Sequence, residues 1–225
     1  MGVLYNSRIV TDGLVLCLDA GDRMSYPGAG TTWTDLTANK NNGTLTNGPT
    51  FDSANGGSIV FDGTDDFVSI LLASLPTPNN SSNFTYEAVV KFNSLGWRTI
   101  FSQDNGTGSG RILLGLRATN SKLVTFFTSS ALQPSFDALI TNTIYHVALG
   151  INGSNIYIGL NGVWDLVSGS AFSYSGNGDI NIGKEPNNLG GHLDGNIFAV
   201  RMYNRFLKES ELFENYRAIK GRFGL

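Results

Sequence analysis

The sequence has one cysteine, few charged residues and no excess of basic charge, and each scarcity excludes something. Cys17 is the single cysteine among 225 residues, so no internal disulfide can form, and its apolar surroundings favour a small buried core residue over a nucleophile. Charged residues make up only 15% of the chain, and the formal net charge is -3. Because the basic side chains are also scattered, nucleic acid is not expected as a partner.

Signals for membranes and for secretion are also missing. No run approaches the ~18 consecutive apolar residues of a membrane-spanning helix. Residues 1–20 lack a basic segment followed by a long apolar one. We therefore expect no membrane insertion and no secretion signal.

Glycine is abundant, and it indicates the fold class. The 28 glycines and the low charge are typical of many short strands joined by tight turns. We predict an all-β chain that forms a single domain over residues 1–225, with residues 1–13 as an N-terminal arm. One short helix is predicted over residues 208–220, with Leu212, Phe213, Tyr216 and Ile219 on its apolar face and a stop at Gly221.

The stretch 57–70 combines the clearest turn with the densest acidic cluster. Two apolar, β-prone runs, 58–61 and 67–70, flank an Asp/Gly/Thr segment, a pattern that predicts a hairpin. Asp62, Asp65 and Asp66 lie within five residues in this turn.

Further strands follow from alternation and from turn residues. Residues 84–92 place Phe84, Tyr86, Ala88, Val90 and Phe92 on one face, and Glu87 and Lys91 on the other. Short strands between 97 and 128 suggest a meander, and Asn-Gly pairs at 152–153 and 161–162 divide three strands into consecutive hairpins. A small edge ribbon is predicted around 44–46.

Four segments resemble the laminin G-like branch of the concanavalin A-like lectin/glucanase superfamily. They are Ser-Ile-Val-Phe-Asp-Gly-Thr-Asp-Asp-Phe-Val at 58–68, Phe-Thr-Tyr-Glu-Ala-Val-Val-Lys at 84–91, Tyr-His-Val-Ala at 145–148, and Leu-Asp-Gly-Asn-Ile-Phe-Ala-Val-Arg-Met-Tyr-Asn-Arg at 193–205. The resemblance implies a jelly-roll β-sandwich of two antiparallel sheets. Lys208 stands where this family usually has a capping Ser, so capping is expected to shift to Ser210 or to water.

The beginning and end of the chain are similar to compact members of this fold in tailed-bacteriophage structural proteins. That similarity lies in residues 12–20, 25–28 and 215–223. It implies a non-enzymatic virion component, either a head decoration or an adhesive element of tail or fibre, that is assembled in the host cytoplasm. Its expected partners are other virion proteins or a cell-surface glycan. The sequence leaves open whether the chain forms a homo-oligomer.

An enzyme is the least favoured class. A glucanase of the superfamily would present paired carboxylates as Glu-x-Asp-x-x-Glu, and this spacing is absent. Glu87 is therefore interpreted as structural or surface-exposed, with Lys91 as a charge neighbour. His146 is placed on the polar side of a strand and His192 in a glycine loop, and neither lies in a nucleophile motif.

The alternative function is a calcium-assisted, carbohydrate-binding lectin domain. Asp62, Asp65 and Asp66 could supply oxygen ligands, with Asp194 as a further contributor, although a turn-forming role is preferred for them and no cofactor is required. Sugar binding needs an exposed aromatic face, for which Trp33, Trp97 and Trp164 are candidates. Trp97 and Arg98, near a strand start, are the candidate carbohydrate-binding residues at the rim of the sandwich.

Overall fold

The computed structural model describes residues 8–71, 83–103, 111–127, 130–169, 178–185 and 191–225. Within these residues sixteen β-strands precede one α-helix. None of the described helices is both long enough and apolar enough to cross a bilayer.

Two eight-stranded sheets form the sandwich, and every strand pair is antiparallel. Sheet A contains, in spatial order, β14 (Val163–Ser168), β13 (Asn155–Leu160), β12 (Ile144–Asn152), β7 (Phe84–Phe92), β16 (Asp194–Tyr203), β5 (Ser58–Asp62) and β4 (Thr50–Asp52), while β1 (Leu14–Asp19) also pairs with β16. Sheet B contains β11 (Ser130–Leu132), β10 (Leu123–Phe127), β9 (Ile112–Leu116), β8 (Arg98–Gln103), β15 (Ile180–Ile182), β6 (Phe67–Ile70), β3 (Gly43–Thr46) and β2 (Thr32–Trp33). The predicted jelly-roll sandwich is confirmed.

The main core lies between the sheets and follows the alternation along β7. Phe84, Tyr86, Ala88, Val90 and Phe92 all belong to the buried apolar cluster, as the sequence predicted. The Tyr86 ring contacts Phe101 of sheet B, with 4.4 Å between ring centroids. Burial of such rings supplies much of the apolar area that stabilises the sandwich.

The outer face of sheet A is covered by the C-terminal helix, α1 (Glu209–Phe223). A second apolar cluster joins Val89, Phe198 and Ala199 of the sheet to Ile219 and Phe223 of the helix. The predicted apolar stripe is partly wrong, because Phe213 is 44% exposed while Asn215 is fully buried. Cys17 also lies on this outer face and is only half-buried, so its assignment to the core was wrong.

Both ends of α1 differ from the sequence prediction. The carboxylate of Glu211 accepts the Lys208 N–H at 2.9 Å, so Glu211 and not the expected Ser210 forms the cap. The helix continues past Gly221 and ends at Gly224, whose φ of 69° is the left-handed conformation typical of a C-terminal glycine.

The 58–70 segment is a corner between the sheets and not a hairpin. β5 pairs with β16 and β4 in sheet A, whereas β6 pairs with β15 and β3 in sheet B. The strands and the turn were predicted correctly, but their pairing was wrong. The acidic turn therefore lies where the chain passes from one sheet to the other.

The later turns agree with the sequence. β8, β9 and β10 form the predicted meander in sheet B, and β12, β13 and β14 form consecutive hairpins in sheet A. Asn161 and Gly162 both have positive φ, 49° and 85°, as a two-residue hairpin turn requires. The ribbon of β3 with β2 lies at the edge of sheet B.

Candidate functional site

The acidic turn between β5 and β6 brings three carboxylates together. One oxygen from each of Asp62, Asp65 and Asp66 lies within 4.8 Å of the others. Asp62 Oδ1 accepts the Thr64 N–H at 2.8 Å, and Asp66 Oδ2 accepts the Asp62 N–H at 3.1 Å. These bonds fix the turn, which is the role that aspartates often have in such segments.

Proton affinity differs between two carboxylates of this turn. The Thr64 N–H lowers the pKa of Asp62, because it stabilises the ionised form. Burial raises the pKa of Asp66, and the negative charges of Asp62 and Asp65 raise it further. A cation bound here would offset that repulsion.

The geometry of the turn is compatible with calcium. Ca²⁺ holds oxygens at about 2.3–2.6 Å, so two ligands on opposite sides of an ion are about 5 Å apart. The separations among the three aspartates fall within that span. Asp194 pairs with Asp62 in the strand register and packs against Gly63, but its carboxylate is not among the oxygens that converge.

Trp97 lies in a second cluster, on the loop that leads into β8. Its Nε1 donates to Glu185 Oε2 at 3.0 Å, and Glu185 is 2% exposed and ion-paired with Arg111. Phe126 contacts Trp97 edge-on with 5.2 Å between centroids, and the Arg111 guanidinium lies 4.8 Å above the Phe126 ring. These contacts hold the half-buried indole of Trp97 in one orientation.

A glycine makes room for this indole. A Cβ at Gly191 would lie 2.0 Å from Trp97 Cδ1, and the φ of Gly191 is 106°. The Gly191 carbonyl also accepts the Thr99 N–H at 2.7 Å. The sequence predicted only a glycine loop here, because the contact joins residues almost a hundred positions apart.

Arg98 is engaged with the protein itself. Its Nη2 donates to Ser94 Oγ at 2.7 Å, and its Nη1 donates to the Trp97 carbonyl at 3.2 Å and to the His192 carbonyl at 3.5 Å. The guanidinium therefore crosslinks the backbone beside Trp97. Arg98 directly follows Trp97 in the chain, and these bonds give its side chain a supporting role beside the indole.

Residues 191–194 connect the two clusters. Gly191 packs on Trp97, and Asp194 packs on Gly63 of the acidic turn. Three Cα steps of extended chain span at most ~11 Å, so the two clusters are close neighbours. We call the acidic turn (62–66), residues 191–194 and the tryptophan cluster (Trp97, Arg111, Phe126 and Glu185) together the rim site.

The other tryptophans lie elsewhere. Trp33 is fully buried in the core. Trp164 is half-buried and stacks on Phe206, with ring centroids 5.3 Å apart, while its Nε1 donates to the Leu207 carbonyl at 3.0 Å. Of the three candidates, Trp97 alone belongs to the rim site.

The sequence did not predict a buried polar network beneath α1. Asn215 Nδ2 donates to Glu87 Oε1 and Oε2 at 3.1 and 2.9 Å, and His146 Nε2 lies 3.2 Å from Glu87 Oε1. Tyr203 OH accepts from Asn215 Nδ2 at 2.9 Å and donates to the Val10 carbonyl at 3.1 Å. The position of Asn215 within the apolar helix stripe was the available signal.

Glu87 was interpreted as structural or surface-exposed; it is fully buried, so the surface alternative, with Lys91 as a charge neighbour, was wrong. Burial opposes its ionisation, but the hydrogen bond and charge of His146, the charge of Arg201 and the Asn215 amide together lower its pKa. Burial and the charge of Glu87 raise the pKa of Tyr203. His146 lies on the predicted outer face but is also buried.

Comparisons with known proteins agree with this architecture. A family model described as the concanavalin A-like lectin/glucanases superfamily matches residues 61–213. No curated protein matches the sequence.

Solved structures share the fold at low sequence identity. Trypanosoma rangeli sialidase in complex with 2,3-difluorosialic acid matches with a TM-score of 0.72 and 16% identity over 95% of this chain, which spans 34% of the sialidase chain. Domain 4 of AbnA, a GH43 extracellular arabinanase from Geobacillus stearothermophilus in complex with arabinotriose, matches with a TM-score of 0.67 and 17% identity, over 90% of this chain and 98% of that domain. The botulinum neurotoxin serotype G binding domain matches with a TM-score of 0.66 and 13% identity, over 90% of this chain and 50% of the toxin domain. At these identities the likeness establishes the fold alone.

Proposed function

Because the chain belongs to the concanavalin A-like lectin/glucanases superfamily, we propose that it is a non-enzymatic, glycan-binding module whose rim site holds the sugar. The observation that carries this proposal is Trp97, a half-buried indole fixed by Glu185 and Phe126. A pyranose or furanose stacks its apolar face on such a ring, and fixing the ring in advance reduces the entropy cost of binding.

Polar groups for sugar hydroxyls lie beside this ring. The acidic turn presents Asp62 and Asp65 as exposed acceptors, and residues 191–194 connect them with Trp97. Carboxylates near an aromatic face provide the few oriented polar contacts that small-molecule sites use for specificity. A neutral sugar suits this arrangement better than an acidic one, because the exposed aspartates would repel a second carboxylate.

Three features support binding without hydrolysis. Glu185 is buried and occupied by Arg111 and Trp97, which leaves it poorly placed as an acid or base. Glu87 is enclosed beneath α1. The neighbouring Asp62 and Asp66 could resemble a hydrolytic pair, but Asp66 is buried and both accept backbone hydrogen bonds within the turn.

The second candidate is calcium-assisted sugar binding at the same rim. The convergence of oxygens from Asp62, Asp65 and Asp66 favours it. These residues would hold the ion, with backbone carbonyls and water completing the six to eight ligands that calcium prefers. Bound calcium would supply a positive charge that coordinates sugar hydroxyls.

From the resemblance to phage proteins, we further propose that the module works in a virion as an adhesive element of tail or fibre. A glycan-binding rim fits adhesion to a cell-surface glycan better than head decoration. Imaging purified virions with a labelled antibody tests this location, and label confined to heads would contradict it.

A glycan array tests the proposed function directly. We expect the original protein to bind a restricted set of glycans and Trp97→Ala to lose them, with arabinotriose as one soluble probe. Phe213→Ala is the matched control, because it removes an exposed aromatic ring on α1, which lies on the outer face of sheet A. Equal binding by folded Trp97→Ala and the original protein would refute the proposal, as would release of reducing ends from bound glycans.

A further inference from the structure

We propose a second sugar-binding pocket, far from the rim site, that takes one neutral sugar residue. A pocket of about 310 Å³ lies between the loop after β1 and the segment after β4. Its volume is at the lower end of the range for ligand sites, about 300–1,000 Å³. The lining residues that define its chemistry are Arg23, Tyr26, Gly28, Phe51 and Ser53.

Strand registers separate this pocket from the rim site. Asp19, just before the pocket, pairs with Ala199 of β16, whereas the rim residue Asp62 pairs with Asp194. Five residues of antiparallel strand rise about 17 Å. The two sites therefore lie at opposite ends of β5, with the pocket beside the middle of β16, and can be tested independently.

Two aromatic rings form the apolar wall of the pocket. Tyr26 and Phe51 are in contact, with centroids 5.6 Å apart and planes inclined by 46°. Tyr26 is 3% exposed and its hydroxyl donates to the Gly30 carbonyl at 2.8 Å, so this wall is fixed. Phe51 is half-buried and offers the partly open ring on which a sugar can stack.

A glycine keeps the pocket open beside Phe51. Gly28 has a φ of 99°, and a Cβ there would lie 3.6 Å from the Phe51 ring and narrow the space beside it. Asp22 holds the preceding loop by accepting the Met24 N–H at 2.8 Å. The loop geometry is thus established before any ligand arrives.

Polar groups for hydroxyls come from Arg23 and Ser53. Arg23 is exposed and forms no ion pair with any described residue, so its guanidinium donors are available. Ser53 adds a hydroxyl that can donate and accept. An aromatic wall with one free guanidinium and one hydroxyl matches a sugar ring, which has an apolar face and hydroxyls at its edge.

The surrounding charges favour a neutral ligand over an anion. Arg222 neutralises Asp19 through bonds of 2.6 and 2.8 Å. Asp22 and Asp52 are chain neighbours of lining residues and have no cationic partner among the described side chains. Their negative charge would offset the attraction of Arg23 for an anion.

NMR titration of the ¹⁵N-labelled protein tests the pocket, because four glycines line it and their backbone amides report on a bound ligand. The probes are glucose, galactose, arabinose and N-acetylglucosamine, with glucuronate as the anionic arm. We expect saturable shifts at Gly21, Gly28, Gly56 and Gly57 with at least one neutral sugar. Phe51→Leu keeps apolar volume but removes the ring, and it should raise the Kd of that sugar by about tenfold or more. Arg23→Ala should have a similar effect on the Kd.

Trp97→Ala separates this inference from the proposed function. This variant should leave the glycine shifts unchanged. The proposal for the rim site and the proposal for the second pocket can therefore be refuted separately. Three outcomes would overturn the second pocket: no saturable glycine shifts with any neutral sugar, shifts with glucuronate alone, or shifts of unaltered affinity in both Phe51→Leu and Arg23→Ala.

Discussion

Asn215 on the C-terminal helix donates its side-chain amide to both carboxylate oxygens of Glu87 on β7, at 2.9 and 3.1 Å, across 128 residues of sequence. The side-chain oxygen of Asn215, Oδ1, accepts the Val10 N–H at 2.8 Å. One side chain therefore joins the N-terminal arm, the centre of sheet A and α1. The network is separate from the rim site, because its residues are buried beneath α1 and bind one another.

Asn215→Leu should destabilise the protein by about 3 kcal/mol, since it leaves the buried Glu87 carboxylate without its amide donor. Urea denaturation at neutral pH measures the change in the free energy of unfolding. Glu214→Ala, on the exposed face of the same helix, is the control and should change it by less than about 0.5 kcal/mol. Similar losses in both variants would show that the network contributes little.

Glu87 should also make stability depend on pH. Its folded-state pKa lies below the ordinary value of 4.5, so the folded state binds its proton less readily than the unfolded state. The stabilisation is therefore complete above pH 4.5 and is lost as the pH falls through the folded-state pKa. The raised pKa of Asp66 acts in the opposite direction, so a comparison of variants is needed.

Glu87→Gln isolates this contribution. At pH 7 it should cost about 3 kcal/mol, because the buried Arg201 loses the negative charge of Glu87, which lies opposite it in the strand register. The difference from the original protein should shrink as the pH falls below 4.5. Chemical denaturation at several pH values measures it, and a difference that stays constant down to acidic pH would contradict the assignment.

The sequence predicted local structure better than long-range pairing. Alternation placed Ala88 and its neighbours on the core face, and Asn161 with Gly162 marked a hairpin, because both signals are local. The turn at 62–66 could not show that β5 and β6 enter different sheets, since a short Asp/Gly turn serves either arrangement. Their true partners in β16 and β15 lie more than 100 residues away.

The rim site was predicted only in part, because residue types can be read from the sequence but contacts between distant residues cannot. Trp97 and the three aspartates were named from their residue types, and the structure brings them to one rim. Glu185 and Arg111 were missed, because nothing local connects them with Trp97 or with each other. The sequence left Glu87 as structural or surface-exposed, because period-two alternation cannot reveal that a helix covers the second face of a sheet.

Gly191→Ala should displace the Trp97 indole, because the new Cβ would lie 2.0 Å from Cδ1. We expect a loss of stability of about 1–3 kcal/mol, a change in tryptophan fluorescence and weaker glycan binding. Gly96→Ala is the matched control: its φ of 139° also disfavours alanine, but no atom lies within 4 Å of the added Cβ. Equal fluorescence changes in both variants would show that backbone strain, and not the contact, is responsible.

Calcium should have little effect on stability if the aspartates of the acidic turn act mainly through their hydrogen bonds. Calcium that bound the native state at 100 times its dissociation constant would add about 2.7 kcal/mol. In a chain of this length each kcal/mol raises Tm by about 2–4 °C, so a bound ion would be plainly visible. The measurement is a thermal melt of chelator-treated protein with and without added calcium.

Asp65→Asn is the informative variant for this experiment. Asp65 contributes an oxygen to the cluster, but the bonds that fix the turn are made by Asp62 and Asp66, so the variant removes a ligand charge and keeps the turn. We expect the same Tm with and without calcium in both proteins. A rise of several degrees in the original protein that disappears in Asp65→Asn would refute the turn-only role. Calcium-assisted sugar binding would then be favoured, because an ion there would lie beside Trp97 within the same rim.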